Sequence, residues 1–237
     1  MFLLGTLVNG ALIIVGSLLG KLLNRIPESM KTTVMYAIGL SVMVLGLQMG
    51  LKSDNFLIVI LSLVIGAVIG ELLKLEEKLN DLGHWLESKV GPNGKGSISE
   101  GFVTATLIFV IGAMAIIGAL DSGIRCDHDV LYTKSIIDGF TALILTTTLG
   151  IGVLFSAVPV LLYEGLIALF ATQIDRFVPH ALMNQFIVEM TATGGVMIFA
   201  IGLNLTGMIK IKVANLLPGI VVTGIIVTVL YNYHHFY

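Results

Sequence analysis

Charge is scarce in this chain. Asp, Glu, Lys and Arg make up 12% of its 237 residues, about half the share in an ordinary soluble domain, which is roughly 25%. A soluble fold of this length could bury a core, but it would lack the polar side chains to cover its surface. The 13 basic and 15 acidic residues leave a net charge of −2, so no basic surface argues for nucleic acid. Cysteine occurs once, at Cys126, which excludes an intrachain disulfide and leaves the redox compartment open. Catalytic signatures are missing too: there is no phosphate-cradling glycine loop, no Ser/His/Asp pattern and no zinc spacing. No nucleophile–base pair stands out, so neither an enzyme nor a cofactor is expected. The start, Met1-Phe2-Leu3-Leu4-Gly5-Thr6, has no charged leader and no small-residue cleavage site. It reads as a membrane helix and not as a signal peptide.

Apolar residues are what the chain has, 56% of the total, with a mean hydropathy of +0.99. Lipid lets such residues face outward as well as inward. The 27 glycines suit helices packed backbone to backbone in a bilayer. A span needs about 20 mostly apolar residues, and charges bound each one. The spans fall at Phe2–Leu23, about Thr33–Leu51, Phe56 to about Leu73, and Gly101–Leu120, closed by Asp121. The stretch 135–172 would extend about 57 Å as one helix at 1.5 Å per residue, nearly twice the hydrocarbon thickness. Gly150, Gly152, Ser156 and Pro159 offer a break, giving spans at about Ser135–Phe155 and Val158–Ala171. The alternative is one tilted span followed by a short interfacial helix. Met190–Ile209 and Val213–Tyr231 complete the set. The expected fold is an all-α polytopic membrane bundle of eight helices, with seven as the alternative.

Between spans three and four, Leu72, Leu75, Leu79, Leu82 and Leu86 step by three and four, with Glu71, Lys74, Glu76, Glu77, Lys78, Asp81 and Glu87 on the other faces. This predicts an amphipathic helix over 71–90, either lying on the membrane with Trp85 at the headgroups or pairing as a coiled-coil strip. The Gly91-Pro92-Asn93-Gly94-Lys95-Gly96 segment then breaks the helix into a loop, and Ser99 can cap span four. Orientation follows lysine and arginine. With eight spans and the N-terminus outside, Lys21, Arg25, Lys31, Lys74, Lys78, Lys89, Lys95, Lys210 and Lys212 are cytoplasmic, and Lys52, Arg125, Lys134 and Arg176 lie outside. Both termini are then outside, with Tyr231, Tyr233, Phe236 and Tyr237 as an aromatic belt. A seven-span count splits the charges less unevenly.

The first three spans resemble the last three. Asn24-Arg25-Ile26-Pro27 follows span one and Asp175-Arg176-Phe177-Val178-Pro179 follows span six; Gly39 precedes Gly46-Leu47-Gln48 as Gly195 precedes Gly202-Leu203-Asn204. The expected organisation is one transmembrane domain over 1–237. Its repeats cover 1–73 and 158–231, with spans four and five inserted over 101–155. With eight spans the copies run in opposite directions, a design that secondary transporters use to place a site where the halves meet.

Polar groups inside hydrocarbon are costly, so each needs a partner or a purpose. The candidate path-lining or ion-binding residues are Asn9, Gln48, Asp121, Asp138, Glu164, Glu189 and Asn204. Asn9 shares a helical face with Thr6 and either lines a path or makes an interhelical hydrogen bond. Lys134 and Asp138, four apart, pair on one helix face. Asp121, Asp138 and Glu189 either gather into an outward-facing cation or proton site or remain separate solvated helix ends. Glu164, flanked by Leu161, Leu162, Tyr163, Leu166 and Ile167, either carries a proton or reaches a cavity or the interface. Gln48 and Asn204 hold equivalent places in the repeat. Thr146, Thr147 and Thr148 are expected to bond their own preceding carbonyls. Gly16–Gly20, Gly46–Gly50 and Gly66–Gly70 permit close helix contact, within the chain or in a homodimer. Arg125-Cys126-Asp127-His128-Asp129 reads as an ordinary outer loop, and no metal site is expected.

Several of these segments are similar to one known family: Gly5-Thr6-Leu7-Val8-Asn9, then Gly118-Ala119-Leu120-Asp121-Ser122-Gly123 before Lys134-Ser135-Ile136-Ile137-Asp138-Gly139-Phe140, then Gly194-Gly195, and Lys212-Val213-Ala214-Asn215-Leu216-Leu217-Pro218. Together they resemble the bacterial membrane proteins of domain of unknown function 554, the YdfK/YqgA-like group, over essentially the whole chain. The resemblance implies a multi-pass protein of the bacterial plasma (inner) membrane, sometimes called a transporter, and supplies no site residues. The leading expectation is a transporter or channel-like protein for a small ion or small polar solute, acting as a homo-oligomer, with a dimer favoured. The alternative is a non-transporting membrane scaffold or regulator whose 71–90 helix contacts a partner.

Overall fold

The computed structural model describes residues 2–23, 28–90 and 98–236. The 24–27 link, the 91–97 loop with Lys95, and Tyr237 lie outside the described residues. So do the side chains of Lys31, Leu86, Glu87 and Phe236. Every described element is helical: α1 (Leu4–Leu22), α2 (Glu28–Gly50), α3 (Phe56–Leu73), α4 (Leu75–Val90), α5 (Ile98–Val110), α6 (Ala113–Arg125), α7 (Asp129–Leu149), α8 (Ala157–Leu169), α9 (Ala171–Phe177), α10 (His180–Leu205) and α11 (Pro218–Phe236), with 3-10 turns at Ile151–Ser156 and Val213–Leu216. Among the described residues, six stretches are long and apolar enough to cross a membrane: Leu4–Leu22, Thr32–Gly50, Phe56–Leu73, Ile151–Leu169, His180–Leu205 and Val213–Tyr233. The pair α5 and α6 makes a seventh if its bend falls within one span.

The chain forms two compact units, 1–35 with 79–174 and 36–78 with 175–237. They interleave in sequence, so neither unit coincides with one of the repeats expected over 1–73 and 158–231. In the first unit, α1 is flanked by two helices running in opposite senses. Gly5 packs on Leu131 and Gly16 on the Gly139 backbone, so α7 runs alongside α1 in the same direction. Gly10 packs on Leu161, and Gly165 lies beside Leu3 and Thr6, so α8 runs against it. The stretch 135–172 therefore holds two antiparallel helices and not one continuous helix. Their limits differ from those expected. The first ends at Leu149, six residues before Phe155, because Gly150 takes a left-handed φ of 84°, which a residue with a Cβ would resist. A tight 3-10 turn then leads into α8.

Span four is also not one helix. Its expected range, Gly101–Leu120, divides into α5 and α6, which meet at 63° across Ile111 and Gly112. Gly112 is extended there (φ 159°, ψ 149°), so the helical ladder stops and restarts at Ala113. Both halves stay in contact with the chain that follows Gly150. Gly152 lies against Ile98 at the start of α5, and Gly123 lies against Ala168 at the end of α6.

In the second unit, the helices pair in antiparallel fashion through small residues. Gly39 meets Gly202 and Thr206, while Gly46 meets Gly195 and Phe199, joining α2 to α10. Gly66 and Gly70 bring α3 against Gly219 and Asn215, at the start of α11. The Thr193 and Thr223 hydroxyls meet at 3.1 Å between α10 and α11. All three small-residue pairs in the first three spans are thus used within the chain. Outer faces such as Val64 and Val68 of α3 stay exposed to the surroundings.

The amphipathic helix begins later than its leucine pattern suggests. Lys74 adopts a left-handed conformation (φ 53°) that ends α3, and Leu72 stays on that helix, 79% exposed. Within α4, Leu75 and Leu79 are half-buried while Leu82 and Trp85 are exposed. Ser99 donates to Asn80 Oδ1 of α4 at 3.1 Å.

The glycine contacts are directly testable. A Cβ at Gly16 would collide with the Gly139 carbonyl oxygen, and one at Gly46 with Phe199. Gly16→Leu and Gly46→Leu are each expected to lower thermal stability in detergent by about 1–3 kcal/mol or more, as overpacking does. Gly165→Ala, whose nearest neighbours stand at 4.0 Å, should be neutral or mildly stabilising. Equal midpoints for all three would remove close helix approach as the packing device.

Candidate functional site

Asn9, Lys134, Asp138 and Glu164 form one buried polar cluster inside the first unit. Each is at most 6% exposed, and Asn9 and Glu164 are at 0%. Three helices deliver them at one level. Asn9, Lys134 and Glu164 each lie five residues from a helix end, Leu4, Asp129 and Leu169, which is about 8 Å along the axis. Because α7 runs with α1 and α8 against it, those three ends come together. Glycines at positions 5, 10 and 16 of α1 bring the neighbouring chains close enough for the side chains to meet.

The bonds within the cluster are unequal. Lys134 pairs with Asp138 Oδ2, one turn along α7, and its Nζ lies 3.4 Å from Glu164 Oε1. Asn9 Nδ2 donates to that same Oε1 at 2.8 Å, and the Asn9 amide also interacts with the Asp138 carboxyl. One ammonium thus faces two carboxyls. Glu164 Oε2 and Asn9 Oδ1 are buried and meet no hydrogen-bonding partner among the described residues. The same holds for Thr6 Oγ1, Ser17 Oγ and Thr146 Oγ1. Thr6, Asn9 and Ser17 share the buried face of α1, and Thr146 lies against Gly20 near its far end. Buried polar side chains therefore lie toward both ends of α1, with the buried Ile13 between them. Thr147 and Thr148 do bond carbonyls three residues back, whereas Thr146 does not, because its face is turned toward α1.

The other expected residues have surroundings of their own. Asp121 pairs with Arg125 at 3.8 Å at the end of α6. Gln48 is exposed near the end of α2. Asn204 closes the turn after α10, accepting from the Ile211 amide and donating to its carbonyl, both at 2.8 Å. Glu189, 3% exposed, accepts three bonds: from Ser53 Oγ at 2.6 Å and from the Asp54 and Asn55 amides at 3.0 Å. It pins the turn that starts α3, beside a pocket of about 330 Å³ lined by Gln185, Ile58 and Val227 among others. In the 125–129 loop, Asp127 Oδ1 accepts from the Asp129 amide and so caps the local backbone, while His128 Nδ1 meets Ser122 Oγ of α6.

One polar constellation escaped the sequence reading. Glu71, at the end of α3, accepts from Lys212 Nζ at 2.7 Å and from Asn215 Nδ2 at 2.5 Å. Asn215 Oδ1 accepts from the Glu76 amide, and Glu76 Oε2 from the Ala214 amide. The hydrogen bond and charge of Glu71 hold Lys212 above its usual ammonium value. The signal was the Lys212–Pro218 motif itself, whose polar members need acids to bind at a helix end.

Fold and buried charge together define a polytopic α-helical membrane protein. Residues 4–228 match the model described as "Protein of unknown function (DUF554)", and the chain belongs to that family. It is similar to the "Uncharacterized membrane protein YdfK" of Bacillus subtilis (strain 168), 30% identical over 234 residues that cover 97% of each chain. It is also similar to the "Uncharacterized protein YqgA" of Escherichia coli (strain K12), 29% identical over 222 residues, 92% of this chain and 93% of that one. No solved structure matches it.

Two substitution sets test the energetics. Lys134→Met leaves two buried carboxyls without their ammonium and should cost about 3–5 kcal/mol; adding Asp138→Leu should recover part of that loss. A double variant no more stable than the single would sink the pairing. Separately, Glu189→Ala should cost about 1–3 kcal/mol for its orphaned donors, read from thermal unfolding in detergent.

Proposed function

We propose that this protein passes a small cation across the bacterial plasma membrane, with Glu164 as the central binding group and Asn9, Lys134 and Asp138 around it. The observation that carries the reading is the charge imbalance at a fully buried carboxyl. Two acids face one ammonium in an apolar bundle, where an uncompensated charge is costly. Such a cluster takes up one positive charge readily, and gives it up when a water-filled route opens. The unpartnered hydroxyls of Thr6, Ser17 and Thr146 supply polar footholds along α1 on either side of it.

In this proposal the chain crosses eight times, with both termini outside. α7 counts as a span despite its Lys134 and Asp138, and α5 with α6 as one broken span. The antiparallel pairing of Gly39 and Gly46 with Gly202 and Gly195 supports an inverted repeat, since each glycine meets its counterpart's repeat-mate. The protein acts as a homo-oligomer through faces other than its paired glycines. The scaffold reading draws on exposed Leu82 and Trp85 of α4, an apolar strip that a membrane surface covers as well as a partner does.

The test is flux. Purified protein in liposomes loaded with pH- and cation-sensitive dyes should dissipate an imposed proton or alkali-cation gradient faster than empty liposomes. Glu164→Gln and Asp138→Asn should reduce that rate to background while eluting as the parent does in size exclusion. Full flux in both variants, or none in the parent, would overturn the reading and favour the scaffold.

A further inference from the structure

We propose that Glu164 and Asn9 form a proton-binding pair, so that the ion held at this site is H⁺ and not a metal cation. The inference rests on the cation-transport reading only for its role in flux; the binding site stands on its own geometry.

A carboxylate only accepts hydrogen bonds, whereas a protonated carboxyl also donates one. A primary amide offers a donor and an acceptor side by side. A protonated Glu and an Asn can therefore join through two bonds, N–H to carbonyl oxygen and O–H to amide oxygen. Half of that arrangement is present, since Asn9 Nδ2 donates to Glu164 Oε1. The atoms of the other half, Glu164 Oε2 and Asn9 Oδ1, are both acceptors, both buried and both without a partner among the described residues. A single proton on Oε2 supplies the missing donor and satisfies both. An O–H bond forms on loading and breaks on release, with water as the proton's source and acceptor.

The surrounding charges favour the same ion. From α7, Lys134 and Asp138 face Glu164, and from α1 the neutral Asn9. Tyr163 is its neighbour on α8, and α6 carries Asp121 and Arg125, which pair with each other. Lys134 pairs more closely with Asp138, within one helix turn, so Glu164 shares that ammonium and has no countercharge of its own. A metal cation would need about six oxygens, as hard cations do, whereas the buried oxygens without a partner at the pair, among the described residues, are Glu164 Oε2, Asn9 Oδ1 and the neighbouring Thr6 Oγ1. A proton needs two.

Infrared difference spectroscopy of the protein in lipid, recorded between acid and alkaline pH, reads this directly. A protonated-carboxyl stretch should appear and vanish reversibly, be absent in Glu164→Gln, and shift in frequency in Asn9→Leu or, should that variant not fold, in Asn9→Ser. Sodium and potassium should leave it unchanged. A carboxyl signal unaffected by Glu164→Gln, or one removed by alkali cations at fixed pH, overturns the proton assignment. Flux of an alkali cation without the carboxyl signal overturns it too, while leaving the transport reading in place. A Glu164 signal in a protein without flux supports the proton site and overturns transport instead.

Discussion

A carboxyl placed in hydrocarbon has no water to solvate it, and Glu164 answers that constraint with side chains from two other helices. Asn9 reaches it from α1 and Lys134 from α7. Those contacts exist because α1 presents glycine where its neighbours press closest, on Leu131, Leu161 and Gly139. Packing and electrostatics are therefore one device here. Small residues let backbones approach, and short distances let a buried acid find partners. Interhelical packing without a strong hydrophobic drive depends on such close approach in lipid.

Two buried glutamates show how partners separate a mechanical role from a chemical one. Glu189 spends its oxygens on three donors at the start of α3, so it has little left to offer and holds a turn in place. Glu164 has one oxygen engaged and the other unpartnered, and it shares a single ammonium with Asp138. Burial alone does not distinguish them; the count of donors does. The Glu71–Lys212 pair is a third case, exposed at helix ends where water softens the gain from the bond, with the buried Asn215 beside it.

The broken helices lie in the same compact unit as the buried cluster. Irregular backbone within a bilayer survives only where protein or a polar cavity covers it, and the breaks at Gly112 and Gly150 both lie within the first unit. The 3-10 turn after Gly150 packs on the start of α5, which helps cover it.

Composition and spacing by themselves determined that this is a helical membrane protein, because oily runs between charges have few other solutions. Phe56–Leu73 matches α3 at both ends, and the four-residue spacing of Lys134 and Asp138 announced their pairing on one helical turn. Local pattern could not place the break inside Gly101–Leu120, since one glycine among many looks ordinary until its backbone angles are known. Nor could it join Asn9 to Glu164, which are 155 residues apart, or give Asp121 to Arg125 and Glu189 to the turn before α3. Which acids meet depends on helix direction and azimuth, and these are set by contacts between distant segments. Tertiary structure alone decided that one carboxyl would be left with an open oxygen.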